Sequence, residues 1–338
     1  MFSAKKRRFV GLEVDEGEAR AVELHGGPRT PVLEAWGRVP LSPGVFAEGT
    51  VADPEALGAA LKQLWLTAGI GCREIILGVA NKGVLVRTAT FPKVPESKVS
   101  QMIRYQAQDY LPVPIHSVVL GHAVTREVSA EGKQLLEILL VAVRRDMLEP
   151  YFSALAEARL TIRDIHVSTL VLRRLLPPEN KNGTYALLNV ANGLSHLLIT
   201  EGDVPRLARL IPAGLHDVAV FSKDLRDDAV TALNDRSISI SSEAFRAWAE
   251  GLWEDLINSF SYYQGQPNTK PPEKIILSGP GAKMPGLAQW LSESTALPVV
   301  AAEPLEGIIL PPEKEKSAAG EANDFAVCFC LARCGLEG

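Results

Sequence analysis

The chain has 338 residues, 46% of them hydrophobic and 22% charged, a composition typical of a globular protein with about two domains. Its net charge of −5 provides no general attraction to nucleic acid or to a membrane surface. No segment approaches the roughly 18 uninterrupted apolar residues that a membrane-spanning helix requires, so we expect a soluble protein. The basic segment Lys5-Lys6-Arg7-Arg8 is either a solvated tail or a weak contact for anionic lipid.

One pattern occurs twice in the chain: an apolar run, a turn centred on glycine, and a second apolar run. The two copies are residues 7–24 and 183–200. Aligned without a gap, they match Glu13 to Asn189 and Arg20 to His196. Glycine turns between strand-like runs predict β-hairpins, and a third strand-like run follows each copy. The repeat therefore predicts two domains of similar fold that face each other.

The segment between the two copies contains elements of both types. Asp53-Pro54 predicts a helix start, with a capping carboxylate followed by proline, and strands are expected at 75–79 and 84–91. A helix, a hairpin, a second helix and a strand then form a small α/β module. The predicted division is a first domain of residues 1–91 with 168–182, an inserted module of residues 92–167, and a second domain of residues 183–338 with 213–270 as its subdomain.

The second half is dominated by a predicted long helix at 243–264, whose apolar residues recur every three or four positions. We expect its Trp248 and Trp253 to lie in the core. Residues 213–242 are polar and only weakly periodic, and 311–323 are expected to form a solvated loop. In the last predicted helix the cysteines resemble small buried hydrophobes, and we expect reduced thiols and no structural metal, although a metal-binding pair is conceivable; they are Cys328, Cys330 and Cys334.

Three segments resemble the PilM family of type IV pilus assembly proteins, which are related to the cell-division protein FtsA. KVPESKVSQMIRYQAQDYLPVPIHSVVL (93–120) is similar to the family's signature segment. LSGPGAKMPGLAQWL (277–291) is similar to its adenosine loop, and DFAVCFCLARCG (324–335) to its final helix. The resemblance covers nearly the whole chain in order. It implies an α/β architecture of the actin-like ATPase fold, with two duplicated domains and a small α/β module inserted in the first.

In that fold, the resemblance implies, the two glycine turns hold the phosphates of ATP, and an aspartate at each turn holds Mg²⁺. Here the aspartates are replaced by glutamate and asparagine, and further acidic side chains stand where the triphosphate would lie. We therefore expect a degenerate nucleotide site, where binding of ATP with Mg²⁺ is weak or lost; the alternative is a site that still binds both through backbone groups and Glu13. The candidate residues are Glu13, Asp15, Glu16, Asn189, Asn192, Gly279 and Gly281.

No acyl-transfer triad or zinc set is apparent, so we expect a binding protein and not an enzyme. The resemblance implies a cytoplasmic scaffold at the inner membrane, reached through a partner. It would bind the cytoplasmic tail of a PilN-like membrane protein in a cleft beside the inserted module and contact the pilus assembly ATPase machinery, with no nucleic acid partner. Arg104 and Tyr105 are candidates to meet the tail. The alternatives are an ATP–Mg²⁺-binding actin-like switch or ATPase in the same machinery and the cytoplasmic domain of a type II secretion L-type protein.

Overall fold

Two five-stranded sheets form the framework of the computed structural model, which describes residues 7–130, 132–177, 182–221, 242–266 and 269–337. The strands are β1 (Arg8–Asp15), β2 (Glu18–Gly27), β3 (Thr30–Pro40), β4 (Phe46–Ala47), β5 (Thr50–Val51), β6 (Glu74–Val79), β7 (Val84–Pro92), β8 (Val118–Ala130), β9 (Lys133–Arg144), β10 (Thr161–Val167), β11 (Thr184–Asn189), β12 (Ser195–Glu201), β13 (Val204–Ile211), β14 (Lys274–Ser278) and β15 (Val299–Ala301). The helices are α1 (Pro54–Thr67), α2 (Glu96–Gln106), α3 (Arg145–Glu157), α4 (Ser168–Val171), α5 (Leu215–Phe221), α6 (Ser242–Gln264), α7 (Leu287–Thr295), α8 (Glu315–Glu321) and α9 (Ala326–Glu337).

The two large sheets have the same topology. The first has the strand order β10-β6-β1-β2-β3, in which β1 pairs antiparallel with β2 and parallel with β6. In the second, of order β13-β12-β11-β14-β15, β11 likewise pairs antiparallel with β12 and parallel with β14. Each sheet thus begins with a three-stranded meander and adds parallel strands beside its first strand. The repeated order confirms the predicted duplication.

The register of the two hairpins supports the same conclusion residue by residue. Glu13 lies opposite Arg20 in the pair β1–β2, and Asn189 lies opposite His196 in the pair β11–β12. These are the residues that the gapless alignment matched. Equivalent side chains of the two copies therefore occupy equivalent positions at the ends of their hairpins.

Helix α9 packs between the two sheets and joins their cores. Ten of its twelve residues are buried. The helix packs against β1, β2 and β6, and its side chains share one core cluster with Leu187 of β11 and Ile276 of β14. A Cβ atom on Gly11 would lie 2.0 Å from the carbonyl oxygen of Cys328, so only glycine allows the helix to approach β1 this closely. The cysteines of the helix are free and buried, as predicted for small hydrophobes.

The inserted module has boundaries different from those predicted. Strand β7 was expected in the first domain, but it pairs with β9 in a three-stranded sheet of order β7-β9-β8. Strand β10 was expected to end the module, but it pairs with β6 at the edge of the first large sheet. On these pairings we propose that the module comprises residues 84–144 and not 92–167, since α3 packs against α1 in the core of the first domain. Local sequence patterns identify strands, but they do not identify the distant strand that each one joins.

The second half contains the predicted long helix as α6, with Trp248 buried and Trp253 only half-buried. The prediction of a loop at 311–323 is wrong, because this segment contains helix α8; the polar segment that starts at 213, for which no element was predicted, begins with helix α5. The rest of that polar segment, 222–241, lies outside the described residues, as do Lys5 and Lys6 of the basic segment. None of the described helices combines the length and apolarity needed to span a bilayer.

Candidate functional site

A buried arginine organises the first glycine turn. Arg20 is only 1% exposed, and its guanidinium contacts the carboxylates of Glu13 at 3.4 Å, Asp15 at 2.5 Å and Glu18 at 2.8 Å. Burial alone would lower the pKa of Arg20, but Glu18, Glu13 and Asp15 together raise it above its usual value. Arg20 is therefore a permanent cation in a low-dielectric site, and it allows these acidic side chains to be buried.

Three carboxylates surround the one guanidinium, and the carboxylate of Glu13 is the farthest from it. Burial raises the pKa of Glu13 to about 7; Arg20 lowers it in part, and the charges of Asp15 and Glu18 raise it further. The protonated form of Glu13 is therefore favoured below neutral pH. Burial also lowers the pKa of His196, the equivalent of Arg20 in the second hairpin, to about 4, so this imidazole is neutral.

The carboxylate of Asp15 reaches across to the second glycine turn. Its Oδ2 accepts the backbone N–H of Asn192 at 2.9 Å, and its Oδ1 accepts the backbone N–H of Gly193 at 3.1 Å. Oδ1 also accepts the N–H of Glu16 at 2.8 Å. Consecutive backbone N–H groups in a glycine turn form a typical anion-binding site. In this molecule the anion that they bind is a side chain of the opposite turn.

The amide side chains of the second turn are also engaged. Asn189 is buried, and its Oδ1 accepts the hydroxyl of Ser278 at 3.1 Å. Asn192 is fully buried, and its Nδ2 donates to the carbonyl oxygen of Glu16 at 3.2 Å and to the carboxylate of Glu18 at 3.3 Å. These contacts place Asn192 in the interface between the turns, whereas Asn189 bonds within its own sheet.

The third predicted loop lies against the second turn. Gly279 donates its backbone N–H to the carbonyl oxygen of Asn323, and Gly281 donates its own to the carbonyl oxygen of Val190, both at 3.0 Å. Both glycines are buried. The neighbouring Lys283 is paired with Asp324 at 2.7 Å. The backbone N–H groups of Gly279 and Gly281, which were predicted to bind a nucleotide, therefore donate to carbonyl oxygens of the protein's own backbone.

Little space remains between the turns. The cavity that Glu13, Asp15, Glu16, Gly193 and His196 line, with their neighbours, has a volume of about 20 Å³, which suits about one water molecule. A triphosphate is far larger, and the turn N–H groups that would bind it already bond to Asp15. In this arrangement the residues present do not fit ATP with Mg²⁺. The seven predicted nucleotide residues are brought together, but their polar contacts are with other groups of the protein.

A second feature is a groove of about 670 Å³ beside the inserted module. One wall is the face of the module sheet opposite to α2, and the other is β10 with the start of α4. Its apolar lining includes Val119, Val124, Leu139, Val141, Ile165 and Leu170. At one end Arg173 pairs with Asp203 of the β12–β13 turn at 2.9 Å. The groove thus adjoins the module and both large sheets. The resemblance placed the tail in a cleft beside the module, but the residues that line the groove could not be read from the sequence, because its walls come from distant segments.

Arg104 and Tyr105 lie on α2, on the other side of the module sheet. The opposite face of α2 packs Val99 and Ile103 onto the sheet, while Tyr105 is 78% exposed and Arg104 is exposed beside it. The predicted partner residues are therefore accessible, but they do not line the groove. Arg20 was also missed, although a single arginine between alanines in an apolar strand is a signal of a buried ion pair.

Comparisons with known proteins agree with the resemblance read from the sequence. The family model for type IV pilus assembly protein PilM matches residues 11–207. Among solved structures, the PilM-PilN type IV pilus biogenesis complex is 26% identical over 97% of this chain and 98% of that chain, with a TM-score of 0.86.

More distant structures share the fold alone. The ethanolamine utilization protein EutJ from Carboxydothermus hydrogenoformans is 11% identical, with a TM-score of 0.56, over 97% of this chain and 89% of that chain. MreB5 of Spiroplasma citri, bound to AMPPNP, is 12% identical, with a TM-score of 0.50, over 96% and 94%. These matches confirm the predicted actin-like ATPase fold.

Proposed function

Because the chain belongs to the family of type IV pilus assembly protein PilM, we propose that it is a scaffold that binds the cytoplasmic tail of a PilN-like membrane protein. The observation that carries this proposal is the similarity of nearly the whole chain to a structure of a PilM-PilN complex. Through that partner the protein would sit at the cytoplasmic face of the inner membrane and contact the assembly ATPase machinery.

The groove beside the module is the site that we propose for the tail. Alternate residues of β9 divide between two environments, as expected for a strand: Ile138 and Leu140 lie in the core under α2, while Leu139 and Val141 line the groove. The volume of the groove lies within the usual range for ligand pockets, about 300–1,000 Å³. Its apolar walls would hold one or two apolar anchors of a short segment.

The backbone at the groove also suits an extended segment. Strand β8 is at the edge of the module sheet, and β10 is at the edge of the first large sheet. Both border the groove. An edge strand offers N–H and C=O groups that a peptide can pair with by adding a strand. Main-chain pairing would then supply affinity, and the apolar lining would select the side chains.

We propose further that this scaffold does not depend on nucleotide. The support is the arrangement of the turns, where Asp15 takes the N–H groups of Asn192 and Gly193 and about 20 Å³ of space remains. A molecule built this way would bind its partner without ATP. The degenerate site predicted from the sequence is part of this proposal.

The proposal is tested by titrating the tail peptide onto matched variants. Val119 and Val124 line the groove and are 43% and 47% exposed, so Val119→Asp and Val124→Asp should reduce affinity about tenfold or more at little cost in stability. Val300→Asp is the control, because this valine is similarly exposed but lies on β15, away from the groove. A third variant carries Arg104→Glu and Tyr105→Ala.

The outcomes separate the two surfaces. Loss of binding in the groove variants alone supports the groove. Loss in the Arg104→Glu, Tyr105→Ala variant alone would place the tail on α2, as the sequence predicted, and would contradict the groove proposal. Each variant is first checked for an unchanged melting temperature, so that a loss of affinity is not a loss of fold.

A further inference from the structure

The contacts of Asp15 differ from those of an ordinary turn carboxylate. Its two oxygens receive three backbone N–H groups, two from the opposite turn at 2.9 and 3.1 Å and one from its own turn at 2.8 Å, together with the guanidinium of Arg20 at 2.5 Å. Paired backbone N–H groups and an arginine are the donors that typically bind a phosphate group. The side chain is buried among them and fully hydrogen-bonded.

We propose that the Asp15 carboxylate stands in for a phosphate group and latches the two halves of the molecule together without a ligand. The opposite turn is shaped to accept it. A Cβ atom on Gly193 would lie 2.5 Å from the carboxylate of Glu16, so the two turns are in direct contact at this residue. The side chain of Asn192 donates back across the same contact to the carbonyl oxygen of Glu16.

The latch also fixes the shape of the groove, and this part of the inference rests on the proposed function. Residues of both large sheets adjoin the groove. Two ion pairs connect the second half of the molecule to the first half and its module. Arg173 pairs with Asp203 at 2.9 Å, and Arg206 of β13 pairs with Glu137 of the module at 2.6 Å. If the halves separated at Asp15, the positions of these pairs would change. The latch therefore holds the groove in one shape, in the role that a bound nucleotide would otherwise have.

Chemical rescue tests the latch directly. Asp15→Gly removes the carboxylate and leaves the N–H groups and Arg20 without their anion. Inorganic phosphate at tens of millimolar should then raise the melting temperature of this variant by about 2–4 °C more than that of the wild type, both measured against chloride of equal ionic strength. The comparison with the wild type is needed because phosphate stabilises many proteins in general.

Glu23→Ala is the matched control. Glu23 is also fully buried, accepts the backbone N–H groups of Gly71 and Cys72 at 2.8 and 3.3 Å, and pairs with Arg8. All of these residues lie on one side of the contact between the halves, so phosphate should not rescue this variant. An equal effect of phosphate on all three proteins, or no effect on Asp15→Gly, would overturn the proposal.

A second variant covers the case in which Asp15→Gly does not fold. Asp15→Asn keeps the shape but has one oxygen to accept hydrogen bonds, so the amides of Asn192 and Gly193 should exchange with deuterium about tenfold faster, while β14 stays protected. Unchanged exchange of both amides would overturn the latch. Phosphate should also restore tail binding to Asp15→Gly. If the wild type does not bind the tail, the proposed function fails while the rescue of stability still tests the latch.

Discussion

Glu13 lies opposite Arg20 across the first hairpin, and their side chains meet at 3.4 Å in the interior of the molecule. The contact is one of several that Arg20 makes with carboxylates, and it is the longest. Burial is the main reason why the pKa of Glu13 rises to about 7, and the charge of Arg20 offsets it only in part.

The first prediction concerns pH. Between about 4.5, the ordinary pKa of glutamate, and about 7, native Glu13 keeps a proton that the unfolded chain releases. The contribution of Glu13 to the free energy of unfolding therefore falls as the pH rises through this window. Glu13→Gln mimics the protonated form and does not titrate. The wild-type free energy of unfolding minus that of the variant should fall by about 3 kcal/mol from pH 4.5 to 7.

Denaturant unfolding of both proteins across this pH range measures the difference. The neutral His196 contributes in the opposite direction, since burial lowers its pKa to about 4 and the unfolded chain takes up the proton first as the pH falls. It is present in both proteins, so its contribution cancels. A difference that stays constant with pH would show that folding does not raise the pKa of Glu13.

The second prediction concerns helix α6. Trp248 is 2% exposed, and its indole N–H donates to the carbonyl oxygen of Gly214 at 2.9 Å. Trp248→Ala should therefore lower the free energy of unfolding by about 3–5 kcal/mol. Trp253→Ala on the same helix should cost less, because that side chain is only half-buried. Equal losses in chemical denaturation would be inconsistent with the observed burial.

The third prediction compares two glycines, one packed tightly against a neighbouring helix and one in open space. Gly11→Ala places a methyl group against the backbone of α9, at 2.0 Å from an oxygen, and should destabilise the protein by about 1–3 kcal/mol or more. Gly251→Ala in α6 meets no atom within 4 Å and should stabilise by about 0.5–1 kcal/mol. Thermal melts of the pair check the close approach of α9 to the first sheet. A Gly11→Ala variant as stable as the wild type would contradict it.

The fourth prediction concerns nucleotide. Millimolar ATP with Mg²⁺ should leave the wild-type melting temperature unchanged, whereas a ligand at 100 times its Kd would stabilise by about 2.7 kcal/mol. A variant carrying Asp15→Gly, Glu16→Ser and Asn189→Asp should gain affinity, because the acidic side chains leave and a carboxylate returns to the second turn. Clear stabilisation of the wild type by ATP, lost in Glu13→Ala, would contradict the prediction.

Much of the fold could be predicted from the sequence, because its signals are local. The two hairpins follow from glycine turns between apolar runs, and α6 from its periodicity. The short hairpin of β4 and β5 was missed, since strands of two residues have no pattern to read. The pairing of β7 with β9 was missed because it joins distant segments.

The candidate site was predicted in composition but not in geometry. The sequence placed acidic side chains at the first turn and indicated that Asp15 would repel a triphosphate. It gave no sign that Asp15 accepts the N–H groups of Asn192 and Gly193, because that contact spans the two halves of the chain. The resemblance implied a cleft beside the module but not the residues that line it, since the walls of the groove are far apart in sequence.

The most direct test of nucleotide-independent tail binding is the affinity of the wild-type protein for the tail peptide with and without ATP and Mg²⁺. A short tail would bury less than a standard interface of about 1,600 Å², so we expect a Kd on the order of micromolar. A scaffold that does not depend on nucleotide has the same Kd in both conditions. Binding that appears only with ATP and Mg²⁺ would contradict it.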